Sequence, residues 1–394
     1  MRIAVFIKKT TNHVGFGGME VQNKLLCEGL CERGHDVVVF SPKADSDLTM
    51  LTANNVKYIF VDGKYRYFLS KFNKDSWYTK SLAAFSKEHT QSKFDLVISQ
   101  SSAGLAIIAQ KKNLGVKVVA IAHGSAWGEF RTYFINNHSL ANFFRIFVRL
   151  QYAVRQIVGR QRIFICNADK VVAVSSVVKK QIVFETGVRP KSVDVIHNGI
   201  VPFDVNTVLP MRVKKLIYIG QVSRDKGVDL FLRILHDFRF KDYEIDIIGD
   251  GDLLKEFKIE TTKNDNILKI NLIGKITREQ IIARLSQERG SIFVFPTNRV
   301  EGLPMVLIEA MFAALPVVTY DIGGNSDAVQ DEKTGYLVKF KNENDLISKL
   351  LDLSLDTTKI TKMGQNARQF ALSEFRLDTM IGKYEALFQD IIKT

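Results

Sequence analysis

Cysteine is scarce, with three in 394 residues. Cys27 and Cys31 fall one helical turn apart, Cys166 is remote, and no His or Cys near the pair completes a metal site. This excludes a disulfide scaffold and fits reduced thiols. No signal peptide is expected either, because the run Ile3-Ala4-Val5-Phe6-Ile7 is too short and stops at Lys8-Lys9. The longest apolar stretch, Leu303 to Tyr320, is broken by Pro304, Glu309 and Pro316. A short helix followed by a buried strand explains it better than a membrane span. There is no internal repeat and no low-complexity tract. These absences place the expected site of action in the cytoplasm.

What is present is an ordinary globular composition, 46% hydrophobic and 25% charged, in a chain longer than one core usually serves. Two domains are expected. The net charge of +13 is one-sided. Residues 1–200 hold 28 Lys and Arg against 14 Asp and Glu, whereas the remainder holds 27 against 28. Such asymmetry points to a surface that meets anions. Nucleic acid is disfavoured as that partner, since the basic half contains no RNA- or DNA-binding motif.

Short β-branched runs alternate with longer amphipathic stretches. The predicted strands are Ile3–Ile7, Asp36–Ser41, Lys57–Val61, Phe94–Ser99, Lys117–Ala122 and Lys170–Ser175, then Leu216–Gly220, Ile245–Gly249, Ile267–Ile273, Ser291–Phe295 and Val317–Tyr320. Continuous Val/Ile runs mean strands covered on both faces, hence parallel sheets and an α/β fold. The alternation pauses near His197-Asn198-Gly199 and restarts at Lys214, so Ile200–Val213, with Pro202 and Pro210, reads as a linker. The expected domains are 1–200 and 201–375, with the last helix, about 376–394, crossing back onto the first.

Several strand ends carry chemistry. Gly15-Phe16-Gly17-Gly18-Met19-Glu20 follows the first strand and opens a helix, a place where backbone can approach an anion. Its spacing is not G-x-G-x-x-G, and the second strand ends in Phe40-Ser41-Pro42-Lys43 without the acidic residue that fingerprint expects. His123-Gly124 ends the strand Lys117–Ala122. In the second half, Gln221-Val222-Ser223-Arg224-Asp225-Lys226-Gly227 places cations beside a glycine, which suits a diphosphate. Gly249 opens another strand–turn–helix passage. The segment from Pro296 to Met311 supplies Glu301, Gly302, Leu303 and Glu309: two carboxylates for hydroxyls and a helix start for phosphate. A buried carboxylate such as Glu309 needs a partner or a hydroxyl-rich ligand. Taken singly, each has a plainer explanation, a solvated Glu301 and an ion-paired Glu309 among them.

In order, however, these fragments resemble the retaining GT-B glycosyltransferases of family 4. Glu301 and Glu309 form E-x7-E within EGLPMVLIEAM, preceded by GFGGME, NADKVVAVSSVVKK, VIHNGI and GQVSRDKGVDLFL and followed by PVVTYDIGGNSDAV and TGYLV. The resemblance spans nearly the whole chain. It implies two Rossmann-like parallel-sheet domains facing across a cleft. It implies a UDP- or GDP-sugar donor, no metal and no other cofactor, and a glycan or lipid-linked acceptor of the cell envelope. Lys226 would hold the donor diphosphate, Glu309 the ribose hydroxyls, and Glu301 the donor sugar. His123 would contact sugar or phosphate, with Gly17 and Gly18 against the phosphates. Two departures stand out. Gln221 occupies the position where the family has Arg, with Arg224 as the candidate replacement, and Gly323-Gly324-Asn325-Ser326-Asp327 lacks the usual proline and longer acid. Asp250-Gly251-Asp252 has a metal-binding spacing, but the family uses fixed cations instead. A degenerate GT-B binding subunit and a nucleotide-sugar epimerase are the competing readings.

One further absence is informative. No acidic residue occurs from Arg131 to Ala168, where Arg145, Arg149 and Arg155 are interleaved with Phe143, Phe144, Phe147 and Tyr152. This is the make-up of a helix lying on an anionic membrane surface, though a family helix here would pack as core. The expectation is a peripheral protein on the inner face of the cell membrane.

Overall fold

A computed structural model describes residues 1–12, 17–44, 48–63, 75–137, 142–206, 214–263 and 269–393. Gly15 and Phe16 of the first glycine loop, the linker from 207 to 213, and the start of the expected strand at Ile267 lie outside the described residues. Two compact units emerge. The first comprises Met1–Trp127, Phe147–Gly199 and Leu377–Thr394; the second comprises Gly128–Ile146 and Ile200–Arg376. The expected boundary at residue 200 therefore misses one excursion: residues 128–146 were assigned to the first domain, yet their contacts lie with the second.

The first unit is built on strands β1 (Arg2–Phe6), β2 (Asp36–Pro42), β3 (Met50–Ala53), β4 (Val56–Val61), β5 (Leu96–Gln100), β6 (Lys117–Ala122), β7 (Lys170–Ala173) and β8 (Val193–Val195). Their order across the sheet is β3-β4-β2-β1-β5-β6-β7-β8. All pairs are parallel except β3–β4. The β-branched runs that predicted these strands are fully buried, as at Val37–Phe40 and Leu96–Ile98. Phe6 stacks on Phe40 at 5.0 Å between ring centroids. β3 was not foreseen; Asn54 and Asn55, both at positive φ, make the two-residue turn that joins it to β4.

Among the described residues, the α-helices in this part of the chain are α1 (Gly18–Glu32), α2 (Trp77–Gln91), α3 (Leu105–Leu114), α4 (Ala126–Asn136), α5 (Phe143–Gln156), α6 (Arg162–Asn167) and α7 (Ser176–Thr186). Along α5 only one stripe turns inward: Ile146, Leu150 and Ala153, spaced four and three residues apart. Phe143 and Phe144 remain 73% and 74% exposed, so the residues a core helix would hide stand in solvent.

The second unit contains β9 (Lys215–Ile219), β10 (Glu244–Ile248), β11 (Lys269–Gly274), β12 (Ile292–Phe295), β13 (Val317–Tyr320) and β14 (Gly335–Val338), in the order β11-β10-β9-β12-β13-β14 and all parallel. Its helices are α8 (Asp229–Ile234), α9 (Leu254–Lys263), α10 (Arg278–Leu285), α11 (Met305–Phe312), α12 (Asn325–Ala328), α13 (Glu343–Leu355) and α14 (Thr357–Glu374). The chain moves outward from β9 through β11, then returns to start again at β12. The crevice beyond the ends of β9 and β12 is thus a topological switch point, where open α/β sheets hold ligands.

This sheet also buries charge. Lys215, 2% exposed, lies 3.0 Å from Asp246 and 2.8 Å from Glu288, with Arg284 3.0 Å from Asp246. Burial alone would raise the Asp246 carboxyl, but hydrogen bonds from Asn271, Arg284 and Lys215 outweigh it and hold the group below its ordinary range.

The last helix, α15 (Leu377–Lys393), belongs to the first unit. Ile381 packs where Gly29 of α1 leaves room, and Glu385 accepts from Arg33 at 2.6 Å and meets His35 at 3.0 Å. Among the described residues, no helix is long and apolar enough to cross a membrane.

Candidate functional site

Beyond the ends of β9 and β12, two loops are fastened to each other. After β9 comes a single 3-10 turn, Arg224–Lys226, then Gly227 with φ 70°. Any side chain on Gly227 would overlap the Pro296 carbonyl, so the glycine lets the two loops touch. Asn298 completes the fastening: its N–H donates to the Asp225 carbonyl at 3.0 Å and its side chain to the Arg224 carbonyl at 3.2 Å. The Tyr218 hydroxyl donates to the Gln221 carbonyl at 2.8 Å and fixes the start of the first loop. Burial, with Glu301 and Asp225 nearby, pushes that phenol well above its usual range.

This fastening brings Lys226 and Glu301 together across 75 residues of sequence, with Lys226 Nζ donating to Glu301 Oε1. Both side chains are largely buried. The Glu301 carbonyl accepts from Gly324 N–H at 2.8 Å, so the loop after β13 holds the carboxylate-bearing loop from its other side. Val300 N–H donates to Thr132 Oγ1 of α4 at 2.9 Å, which shows what the 128–146 excursion contributes to this unit.

Glu309 lies on α11, 4% exposed, with Arg278 Nε of α10 2.9 Å from its Oε1. Burial pushes its carboxyl up, and the Arg278 guanidinium offsets part of that. The helix begins later than expected, at Met305 rather than Leu303, because Pro304 adopts an extended N-cap conformation at φ −68°, ψ 119°. Gly302 and Leu303 are therefore loop residues that lead into the helix. Gly249 at φ 147° lies so close to the Gly220 carbonyl that a side chain would overlap it. Arg224 is directed elsewhere: it forms a two-pronged pair with Glu256 of α9 at 2.8 and 3.1 Å, with 63% of its side chain exposed.

The first unit presents an uncharged arrangement. His123 follows β6, and its Nε2 lies 2.6 Å from Gln100 Oε1 at the end of β5. Gln100 Nε2 donates to Gln22 Oε1 at 3.2 Å and Asn23 Oδ1 at 3.0 Å, both on the first turns of α1. Gly17 caps that helix and Gly18 begins it. Burial lowers the imidazole to about 4, so His123 is neutral at physiological pH. It can exchange hydrogen bonds there without bringing a charge. The amides of Gln22, Asn23 and Gln100 were not foreseen. Gln22 and Asn23 stand on a helix face that sequence alone reads as polar, and only the topology tucks them under β5.

Two Rossmann-like sheets, parallel apart from β3, with a cation and a carboxylate paired at the switch point of the second, define a class. Residues 204–370 match the family "Glycosyl transferases group 1", and residues 16–202 match "Glycosyltransferase Family 4". The two matches adjoin and together cover most of both units, and the chain belongs to this family of GT-B fold. It is similar to poly(ribitol-phosphate) alpha-N-acetylglucosaminyltransferase of Staphylococcus aureus, 28% identical over 158 residues, 35% of this chain and 32% of that protein. It is similar also to UDP-Gal:alpha-D-GlcNAc-diphosphoundecaprenol alpha-1,3-galactosyltransferase of Escherichia coli, 26% identical over 147 residues, 37% of this chain and 36% of that protein. The chain thus spans about a third of the length of these relatives. The solved structure of sucrose-phosphate synthase from Thermosynechococcus elongatus matches its fold with a TM-score of 0.78 at 18% identity, over 100% of this chain and 99% of that one.

Proposed function

We propose that this protein moves a sugar from a nucleotide-sugar donor, UDP- or GDP-linked, to a cell-envelope glycan or glycolipid. The observation that carries the reading is the Lys226–Glu301 contact at the switch point of the second sheet. The reaction breaks the bond from the anomeric carbon to the β-phosphate oxygen and forms one to an acceptor hydroxyl, whose proton is released. Positive charge grows on the ring and negative charge on the leaving diphosphate. Lys226 stabilises the second and Glu301 contacts the sugar. Fixed cations take the place of a metal, and attack from the leaving-group face retains the anomeric configuration. Glu309 accepts from the ribose hydroxyls, and neutral His123 binds a hydroxyl of the donor sugar. The names of the two relatives, which act on poly(ribitol-phosphate) and on a diphosphoundecaprenol-linked sugar, support an envelope acceptor.

The α5 helix supports a place at the membrane. Its exposed Phe143, Phe144 and Phe147 would enter the acyl boundary, with Arg145, Arg149 and Arg155 on anionic headgroups at the inner face.

A thermal-shift screen of UDP-, GDP- and ADP-sugars tests the donor, since a bound ligand raises stability by mass action. Product analysis with the stabilising donor then tests transfer, and excess chelator should leave the rate unchanged. Donor binding with neither transfer nor hydrolysis would replace the enzyme by a binding subunit. Sedimentation with liposomes tests the helix. Binding should need anionic lipid, fall with salt, and weaken when Arg145, Arg149 and Arg155 become Glu. Equal binding to neutral vesicles would defeat that assignment.

A further inference from the structure

A diphosphate leaving group carries more charge than one lysine neutralises, and Gln221, at the position where the resemblance implies a second cation, is exposed and uncharged. Arg224 was the candidate replacement, but it is engaged by both oxygens of Glu256 on the solvent side of α9. A different cation stands next to Lys226. Arg299 Nε lies 3.8 Å from Glu301 Oε1, the same oxygen that accepts from Lys226, and its Nη1 lies 3.5 Å from Asp225 Oδ2. We propose that Arg299 is the second diphosphate-binding cation of this protein, in place of Gln221 and Arg224.

Three features carry this. The first is position: Arg299 Nε and Lys226 Nζ converge on one carboxylate oxygen, so an anion that reaches Lys226 is within reach of the guanidinium. The second is strength of engagement. Contacts of 3.5 and 3.8 Å are long for a charged pair. Arg299 therefore gives up little when it turns to a phosphate, whereas Arg224 would have to break a two-pronged pair at 2.8 and 3.1 Å. The third is anchoring. The Arg299 N–H donates to the buried Thr297 Oγ1 at 3.1 Å, and Asn298 is tied to the Arg224 and Asp225 carbonyls. The backbone that bears the guanidinium is thus fixed relative to Lys226, which lowers the cost of ordering it on a ligand.

The inference rests on the nucleotide-sugar reading, and one binding experiment separates the two. Wild type, R299A, R299K, R224A and the double variant R299A/Q221R are titrated calorimetrically with UDP, GDP and ADP and with uridine, guanosine and adenosine. For the diphosphate that wild type binds, R299A should lose about 10- to 100-fold in affinity, the scale of one charged hydrogen bond, while affinity for the matching nucleoside stays within about twofold. R224A should stay within about twofold for both. R299K, which keeps the charge without the fork, should fall between. The double variant should regain diphosphate affinity, because Q221R adds a charge at the position where the resemblance implies one. Unchanged diphosphate binding in R299A, or an equal loss in R224A, overturns the assignment and leaves the donor reading intact. Wild type that binds none of the three diphosphates overturns both. Melting curves without nucleotide should coincide for all five proteins, and a lowered midpoint confined to R299A would overturn the assignment in favour of a structural role.

Discussion

The strand ends of the two units solve different problems. In the first, His123, Gln100, Gln22 and Asn23 form a chain of neutral groups, with the imidazole held uncharged by burial. In the second, Lys226, Glu301, Arg299 and Asp225 form a charged set, with the Arg278–Glu309 pair on neighbouring helices. The same contrast holds beneath the sites: the first sheet buries Val, Ile and Phe, while the second buries Lys215 with Asp246 and Glu288. A neutral amide network suits hydroxyl groups and a charged one suits phosphate. Two units of one architecture therefore differ in what they can hold because of a handful of side chains, not because of their sheets.

The contrast can be tested at four levels. The largest effect is expected from Lys215→Met, which leaves Asp246 with Arg284 as its cation and the buried Glu288 with the Ser291 hydroxyl but no counter-charge. It should cost about 3–5 kcal/mol in urea unfolding. The acid limb gives an independent check. Asp246 has a lowered folded-state value, so its contribution is present above the ordinary carboxylate value near ~3.9 and is lost as pH falls through the lower folded one. A variant as stable as wild type would mean that the buried charges are idle.

Next is Glu301→Ala. Transfer should fall by about 10²–10³ with folding retained, since the residue stands on a loop. Full steady-state activity would remove Glu301 from the site. Glu309→Ala should weaken donor binding by roughly 1.5–3 kcal/mol. Arg278→Met should do so in a pH-dependent way. Without the guanidinium the Glu309 carboxyl rises further, so affinity is lost earlier as pH is lowered; parallel Kd profiles in the two proteins would contradict the pairing. The smallest effect concerns the neutral unit. The NMR titration of His123 should centre near about 4, and Gln100→Glu should raise it by placing a carboxylate opposite Nε2. An unchanged midpoint would show that the two groups do not interact in solution.

Much of the architecture was legible because apolar runs of four to six β-branched residues have few alternatives to a strand covered on both faces. What escaped was short or unusual. β8 has three residues and β14 opens on a glycine, too little signal for periodicity, while β3 depended on reading Asn54-Asn55 as a turn. The paired glutamates and Lys226 were recognisable from their surroundings, yet no spacing rule places residue 226 against residue 301. That contact follows from strand order, which brings β9 beside β12. Arg299 lies between Pro296 and Met311, where the sequence gives it no role. The available signal was a cation two residues before Glu301 in a chain that has Gln221 where the resemblance implies an arginine. Nothing in composition marks the ends of the 128–146 excursion, since the stretch without acidic residues runs on from Arg131 to Ala168 across the boundary at Ile146.

The return of α15 to the first unit has a consequence for how this protein is made. Synthesis runs from the amino end, and the second unit has all of its residues once Arg376 has been added. The first unit, begun earlier, still lacks the helix that covers Gly29 and engages Arg33 and His35 through Glu385. The unit that starts first is therefore completed after the other. Until this seventeen-residue helix leaves the ribosome, the face of α1 around Gly29 stays uncovered, and Ile381, Tyr384 and Phe388 are not yet there to be buried against the first unit.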